Sequence, residues 1–145
     1  SLAALAAQVV EFHEAALADA GLTLHVEGDA RLPVDESLFK RAVSNLVGNA
    51  TRYARPRSTI VLRIRPELPE QVQVLVQNEG EPIADEVLPR LFDRFFRADD
   101  SRHSPEAQHH GLGLAIVAAI ARMHAGRTVA ECGGGLTRVG FTLAA

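Results

Sequence analysis

The sequence predicts an α/β fold, specifically a two-layer sandwich in which a mixed, mostly antiparallel sheet carries helices on one face. Three observations support this prediction. Apolar residues recur at helical spacing in long stretches, apolar and polar residues alternate in short stretches, and the two patterns are interleaved along the chain. The chain has 145 residues, 47% of them hydrophobic, which is enough to bury one domain core.

The first helix is predicted over residues 2–19, where apolar residues recur at helical spacing, and it ends near Gly21. Residues 22–26 alternate between apolar and polar, which predicts a short strand. Asp35 is a favourable N-cap for the second helix. Pro56 ends that helix, because proline restricts the residue before it.

A β-hairpin is predicted next. Residues 60–64 and 72–76 both alternate, and a turn with two prolines at residues 66–70 joins them. A long segment follows over residues 78–112, with a short apolar helix expected around residues 87–96.

The last part of the chain predicts a helix and a closing pair of strands. Residues 114–123 have helical spacing, and residues 128–131 and 138–143 predict strands on either side of three consecutive glycines. Because no internal repeat is visible, residues 1–145 are interpreted as one domain, with residues 1–20 as a connector and first helix.

Composition excludes several classes of function. The net charge is −3, Lys40 is the only lysine and no basic run is present, so nucleic acid is not an expected partner. Cys132 is the only cysteine, which rules out an internal disulfide and indicates a reducing compartment. No apolar run reaches the roughly 18 residues that a membrane-spanning helix needs. Because the chain opens with Ser1 in a helical pattern, we expect it to be a piece of a longer protein.

The second predicted helix has an unusual polar face. One arc of it holds two arginines and two asparagines: Arg41, Asn45, Asn49 and Arg52. Tyr53 lies at the boundary of that arc. Asparagine is a poor helix former, so two on one face indicate a role other than helix stability. Amide oxygens suit a hard cation such as Mg²⁺, and arginine suits phosphate. A solvated polar face is the alternative.

Asn78 and two glycines give weaker signals. Asn78 follows a predicted strand and precedes Gly80, so its carboxamide either bonds the edge of a base or caps a turn. Gly111 and Gly113 flank the entry to the last helix, where backbone N–H groups favour an anion.

A phenylalanine-rich tract precedes these glycines. Phe92, Phe95 and Phe96 are expected to face the core. Arg97 and Arg102, which follow them, are either surface charges or mobile donors to an anion.

Two other chemistries are poorly supported. His109 and His110, together with Cys132, are candidates for direct metal sensing, but neighbouring side chains diverge on most backbones. Catalysis by serine, histidine and aspartate would need a nucleophile-elbow motif, which the sequence lacks.

In this order and spacing, the elements resemble the catalytic ATP-binding domain of bacterial sensor histidine kinases, in the Bergerat-fold (GHKL) ATPase superfamily. The N, G1, F and G2 boxes and the closing threonine element correspond to residues 45–53, 78–83, 91–96, 111–114 and 137–138. The resemblance covers nearly the whole chain. The amino-acid sequences of the G1 and F boxes most resemble those of heavy-metal sensor kinases of the copper/silver and zinc/cadmium/cobalt type.

The resemblance implies a role in Mg-ATP binding for the polar residues of the first two boxes. Asn49, with Asn45 beside it, would hold the Mg²⁺ that bridges the ATP phosphates. Arg52 would contact phosphate, Tyr53 would pack near the adenine, and Asn78 would face the adenine amino group.

The other implied site residues line the pocket or belong to an ATP lid over residues 84–112. Arg97 and Arg102 would offer cations to the γ-phosphate and, with Asn45, form the catalytic group. The amides of two glycines would close on the phosphates. The set that completes the implied nucleotide site is Gly80, Ile83, Leu91, Phe92, Gly111, Leu112, Gly113 and Thr137.

Three positions depart from the family pattern. Asn78 stands where most members have aspartate, and a neutral acceptor makes a bond about 1 kcal/mol weaker than a charged one. Pro82 replaces the second G1 glycine, and His109 replaces the first G2 glycine. Because the metal-sensor branch shares the first two changes, we do not interpret them as a loss of function.

The residue at position 45 implies the class of reaction. Hydrolytic relatives such as gyrase carry a glutamate at the position of Asn45 that activates water, whereas asparagine cannot act as a general base. The resemblance therefore implies phosphoryl transfer from ATP to a histidine of a helical hairpin that this chain lacks. The expected activity is that of a protein-histidine kinase, incomplete in this chain, which binds ATP without autophosphorylation.

The implied partners are that dimerisation and phosphoacceptor hairpin and a cognate response regulator. The fragment is expected to be monomeric and the full-length kinase a homodimer, with this domain on the cytoplasmic side of a bacterial inner membrane. The alternative is a degenerate, non-catalytic interaction module that has lost its nucleotide. Retention of both N-box asparagines, Arg52 and both G2 glycines argues against that alternative.

Overall fold

A computed structural model describes residues 1–67, 70–93 and 107–144, and of residues 107–112 it describes the backbone. The helices in these ranges are α1 (Leu2–Phe12), α2 (Glu14–Asp19), α3 (Glu36–Tyr53), α4 (Ala107–Met123) and a short 3-10 helix (Leu88–Arg90). The strands are β1 (Thr23–Glu27), β2 (Thr59–Glu67), β3 (Gln71–Glu79), β4 (Thr128–Gly133) and β5 (Leu136–Ala144).

The strands form one sheet in the order β1-β2-β3-β5-β4. β1 pairs with β2 in parallel, and the other neighbours pair antiparallel. The predicted mixed, mostly antiparallel sheet is therefore confirmed.

The helices cover one face of this sheet. Side chains of that face are buried in alternation along the three central strands: Ile60, Leu62, Ile64, Val72, Val74, Val76, Val139, Phe141 and Leu143. Phe39 of α3 meets Phe141 with ring centroids 6.4 Å apart, and α3 also packs against both α1 and α4. This layer of helices on a single sheet confirms the predicted two-layer sandwich.

Both ends of α3 are fastened to other elements. At its start the Leu38 N–H donates to the Asp35 carboxylate at 3.0 Å, the predicted cap, and the Asp35 N–H donates to Nε2 of His124 at 3.3 Å. Just past its end the Arg55 N–H donates to the Glu79 carbonyl at the end of β3, at 2.7 Å. The C-terminal end of α3 is therefore held close to the end of β3.

The predicted helix over residues 2–19 is interrupted at His13, which has φ −93° and ψ 2° and separates α1 from α2. Its Nε2 lies 2.8 Å from Oγ of Ser44 on α3. Phe12, which the spacing places on the apolar face, is the last residue of α1 and is 84% exposed. Apolar spacing continues through the break, so the sequence pattern does not reveal it.

Two further boundaries differ from prediction. The helix expected around residues 87–96 is a single 3-10 turn in its described part, centred on Pro89, which has no N–H to donate. Helix α4 begins at Ala107, earlier than the predicted helical range of residues 114–123, while the predicted lid bounds stay a prediction. Within the described ranges, no helix combines the length and apolarity needed to cross a bilayer.

Acid is expected to destabilise the domain through His13. Burial lowers the pKa of its imidazole, so the folded state holds a proton less tightly than the unfolded chain, whose imidazole has a pKa of about 6.5. The unfolded state therefore binds more protons as the pH falls below about 6.5. The contribution of neutral His13 to the free energy of unfolding is therefore complete above about pH 6.5. It is lost as the pH falls from there to the lowered pKa of His13 in the folded state.

Urea unfolding at pH about 7.5 and about 5.5 measures this loss. His13→Gln keeps a polar side chain beside Ser44 but does not titrate, so we expect a smaller loss in this variant. An equal loss in both proteins would show that another group is responsible.

Candidate functional site

A cavity opens where the end of α3 meets the ends of β3 and β5 on the helical face of the sheet. Its volume is about 200 Å³, and its lining comes from these elements and the segment after β3: Asn49, Arg52, Tyr53, Asn78, Glu81, Ile83 and Thr137. Pockets for whole drug-sized ligands start at roughly 300 Å³. The cavity therefore suits one part of a larger ligand.

Helix α3 contributes the cationic side of the cavity. Asn49 and Arg52 lie within its last two turns on the polar face that the sequence predicted, with Tyr53 at the boundary of that face. The guanidinium carbon of Arg52 lies 5.6 Å from the ring centroid of Tyr53, a cation–π contact that holds the charge beside the aromatic ring. This end of α3 presents an amide, a cation and a ring to the same space.

The sheet contributes a polar row at the end of an otherwise apolar face. Asn78 of β3 pairs in register with Thr137 of β5, which pairs with Cys132 of β4. Asn78 and Thr137 are only 3% and 5% exposed. The preceding row on the same face is apolar: Val76, Val139 and Ala130. Buried polar side chains need hydrogen-bond partners, and a ligand in the cavity that Asn78 and Thr137 line could accept or donate such bonds, so this row is a candidate ligand-binding floor.

Gly80 lets α3 and β3 approach each other at the cavity. A Cβ at this position would lie 2.6 Å from the Tyr53 carbonyl oxygen and 3.3 Å from Nδ2 of Asn78. The Gly80 N–H donates to the Gly135 carbonyl at 3.4 Å. Only a residue without a side chain fits between the ring-bearing end of α3 and the buried amide of β3.

Asn45 lies one helical turn before Asn49, at the contact between α3 and α4. Its Nδ2 is buried and has no hydrogen-bond partner among the residues that the structure describes. A Cβ at Gly113 would lie 3.9 Å from its Cγ. An unpaired buried donor costs about 1–3 kcal/mol, which is explained if a ligand supplies an acceptor.

Six residues implied by the resemblance line the cavity together: Asn49, Arg52, Tyr53, Asn78, Ile83 and Thr137. Gly80 lies against two of them, and Asn45 lies one turn away. The N and G1 boxes therefore meet in space.

Other predicted residues lie apart from the cavity. Leu91 is buried in the core, and Phe92 packs against it beside a separate depression next to β4. Arg41 lines a different groove of about 410 Å³ between α1 and α3. Although Arg41 shares a helical arc with Asn49, the two lie about 12 Å apart along the axis and line different cavities.

The two predicted G2 glycines lie inside α4. Because that helix begins at Ala107, the N–H groups of Gly111 and Gly113 fall beyond its first four, and such groups are bonded within the helix. Their role toward phosphate stays a prediction. Arg97 and Arg102 lie outside the described residues, as do Phe95 and Phe96, and so do the side chains of His109, His110 and Leu112.

Two residues near the cavity were not predicted for the nucleotide site. Glu81 lines the cavity and stands between Gly80 and Pro82. Its position inside the G1 box could have predicted that it lies near the site. Cys132 contacts two lining residues, but no local pattern marks it. Within the described ranges, no group of three or more histidine, cysteine, aspartate or glutamate side chains is placed to hold a metal ion.

Known proteins share both sequence and fold with this chain. Sensor histidine kinase CusS of Escherichia coli (strain K12) is 42% identical over 139 residues, which covers 95% of this chain and 28% of the relative. Sensor protein CzcS of Cupriavidus metallidurans is 44% identical over 123 residues, covering 84% of this chain and 25% of the relative. The chain thus spans about a quarter of the length of these relatives.

The fold is shared with a solved structure. The catalytic domain of the histidine kinase ThkA matches with a TM-score of 0.82 at 24% identity, covering 97% of this chain and 90% of that one. The family model of histidine kinase-, DNA gyrase B- and HSP90-like ATPases matches residues 34–145, a range that includes every lining residue of the cavity. The chain therefore belongs to this ATPase family.

Proposed function

We propose that this chain is the catalytic ATP-binding domain of a two-component sensor histidine kinase. It would supply Mg-ATP for phosphorylation of a histidine on a dimerisation domain outside this sequence. The proposed context is a heavy-metal response, which is supported by the amino-acid sequences of the G1 and F boxes and by similarity to the sensor kinases CusS and CzcS.

One observation supports the nucleotide assignment most directly. The three asparagines of the chain gather at one end of the helical face: Asn49 and Asn78 line the cavity, and Asn45 lies one turn from Asn49. Two of them lie in a helix interior, where asparagine is disfavoured, and the third is a buried floor residue. Ligand recognition through amide groups accounts for this placement, whereas stability does not.

The residues present fit Mg-ATP. The amide oxygen of Asn49 is a hard donor of the kind that Mg²⁺ takes, and Arg52 matches phosphate charge. The unpaired Nδ2 of Asn45 would gain an acceptor in a phosphate oxygen. Bound Mg²⁺ would neutralise charge on the transferring phosphoryl group. Asn78 would accept from the adenine amino group beside Ile83.

The chemistry supported by these residues is phosphoryl transfer and not hydrolysis. Asn45 cannot remove a proton from water, because its amide is not a base. Among the described lining residues Glu81 is the only carboxylate, and it belongs to the segment after β3 and not to α3, where the position of Asn45 carries the base in hydrolytic relatives. Rapid ATP hydrolysis by the isolated chain would therefore contradict the proposal.

The proposed partners follow from the part of the kinase that this chain does not contain. They are the dimerisation and phosphoacceptor hairpin of the same protein and a cognate response regulator. The proposed full-length protein is a homodimer in a bacterial inner membrane, with this domain in the cytoplasm. The fraction of CusS and CzcS that the chain spans, about a quarter, is consistent with such additional segments.

Calorimetry of the chain with Mg-ADP tests the proposal. We expect binding heat and a Tm that rises with ADP concentration, since a ligand that binds the folded state stabilises it. GDP is the matched control, because it lacks the amino group proposed to face Asn78, and it should bind more weakly. Absence of both heat and Tm shift with millimolar Mg-ADP would favour the non-catalytic module instead.

A further inference from the structure

Cys132 lies directly behind the cavity and contacts two of its lining residues. The backbone N–H of Ile83 donates to Sγ of Cys132 at 3.3 Å. The hydroxyl of Thr137 lies 3.6 Å from the same sulfur. The thiol is half-buried and is the only one in the chain.

These contacts link the segment after β3 to strands β4 and β5 beside the cavity. Ile83 lies on the irregular segment after β3, outside any helix or strand. Thr137 lies near the start of β5, and Cys132 near the end of the edge strand β4. A segment without regular hydrogen bonding is held in place by the few contacts it makes, so the sulfur restrains the wall that Ile83 forms.

We propose that Cys132 is a positioning residue of the nucleotide site, an inference that rests on the proposed function. Its sulfur fastens the Ile83 backbone and the Thr137 hydroxyl to the edge of the sheet. It thereby presets the cavity wall and floor against which the base lies. The residue acts through Ile83 and Thr137 and does not itself contact nucleotide.

The energetic consequence falls on nucleotide binding. Without the sulfur, the Ile83 N–H loses its acceptor and the wall has to be ordered when the ligand binds, which reduces affinity. Sulfur is a weak acceptor, so the expected effect is moderate. A serine at the same position offers an oxygen to both groups, so Cys132→Ser should keep most of the wild-type affinity.

The test compares wild type, Cys132→Ala and Cys132→Ser by calorimetry with Mg-ADP. We expect Cys132→Ala to raise Kd about fivefold and Cys132→Ser to stay within about twofold of wild type. Thr128→Ala is the matched control, on the same strand and the same face but away from the cavity lining. Its Kd should not change.

Amide hydrogen exchange by NMR separates positioning from general destabilisation, without nucleotide. Cys132→Ala should accelerate exchange of the Ile83 amide. The Thr142 amide, which donates to the Arg127 carbonyl at 2.7 Å in the same sheet, should exchange as in wild type.

The outcomes are distinguishable. A wild-type Kd in Cys132→Ala would overturn the role of Cys132 while leaving the proposed function intact. Acceleration at both amides with no rescue by serine would show a merely structural residue and also overturn it. Failure of the wild-type chain to bind Mg-ADP would overturn the proposed function and this inference together.

Discussion

Replacing Asn49 with alanine is expected to raise the Kd for Mg-ADP at least about tenfold, a loss of about 1.4 kcal/mol. The change removes the amide oxygen that we propose as the Mg²⁺ donor at the point where α3 lines the cavity. Wild-type binding should strengthen when Mg²⁺ is added to ADP. In Asn49→Ala that dependence on Mg²⁺ should largely disappear. Calorimetry with and without the metal ion measures both effects.

Thr51→Ala is the matched control for this change. Thr51 lies on the same helix, and its hydroxyl donates to the Val47 carbonyl at 2.8 Å without lining the cavity. Its removal should leave both the Kd and the Mg²⁺ dependence as in wild type. In the full-length kinase, Asn49→Ala should also abolish phosphoryl transfer. Intact transfer in that variant would exclude Asn49 as the metal donor.

Replacing Gly80 with alanine is expected to damage both the cavity and the fold. The added methyl group would lie 2.6 Å from the Tyr53 carbonyl oxygen, which belongs to the backbone and has little freedom to move. Either the end of α3 or the segment after β3 has to shift. Overpacking of this kind costs about 1–3 kcal/mol, and we expect the Kd for Mg-ADP to rise about tenfold. Urea unfolding and calorimetry measure the two losses.

Gly48→Ala is the glycine-to-alanine control for this prediction. Among the described atoms outside its own helix backbone, none lies within 4 Å of a Cβ at position 48, and the residue is inside α3. Alanine should therefore stabilise the domain by about 0.5–1 kcal/mol and leave nucleotide binding unchanged. Wild-type affinity in Gly80→Ala would show that the close approach of Tyr53 to this glycine does not shape the site.

Much of the fold could be predicted because its signals are local. The alternation in β2 and β3, the cap at Asp35 and the end of α3 before Pro56 each depend on residues that are close in sequence. The break at His13 could not be predicted, because apolar helical spacing continues across it, and its contact with Ser44 joins residues that are far apart in the sequence.

Some residues of the candidate site could likewise be predicted from local spacing, and others could not. Asn49 and Arg52 could be assigned to one helical face, with Tyr53 at its boundary, from helical spacing alone. Arg41, on the same arc, lines a different groove, because distance along the axis matters as much as angle around it. Phe92 and Leu91 pack with the core and not at the cavity, because removing apolar side chains from water is favourable.

By itself, the sequence determined the fold class, the resemblance to the ATPase family and the polar face of α3, since periodicity and motifs are properties of neighbouring residues. Only the tertiary structure decided that Asn78, Thr137 and Cys132 form one row beneath that face. The physical reason is strand register: hydrogen bonding between β3, β5 and β4 aligns residues that lie far apart along the chain, and a shift of one residue would turn each of these side chains to the opposite face.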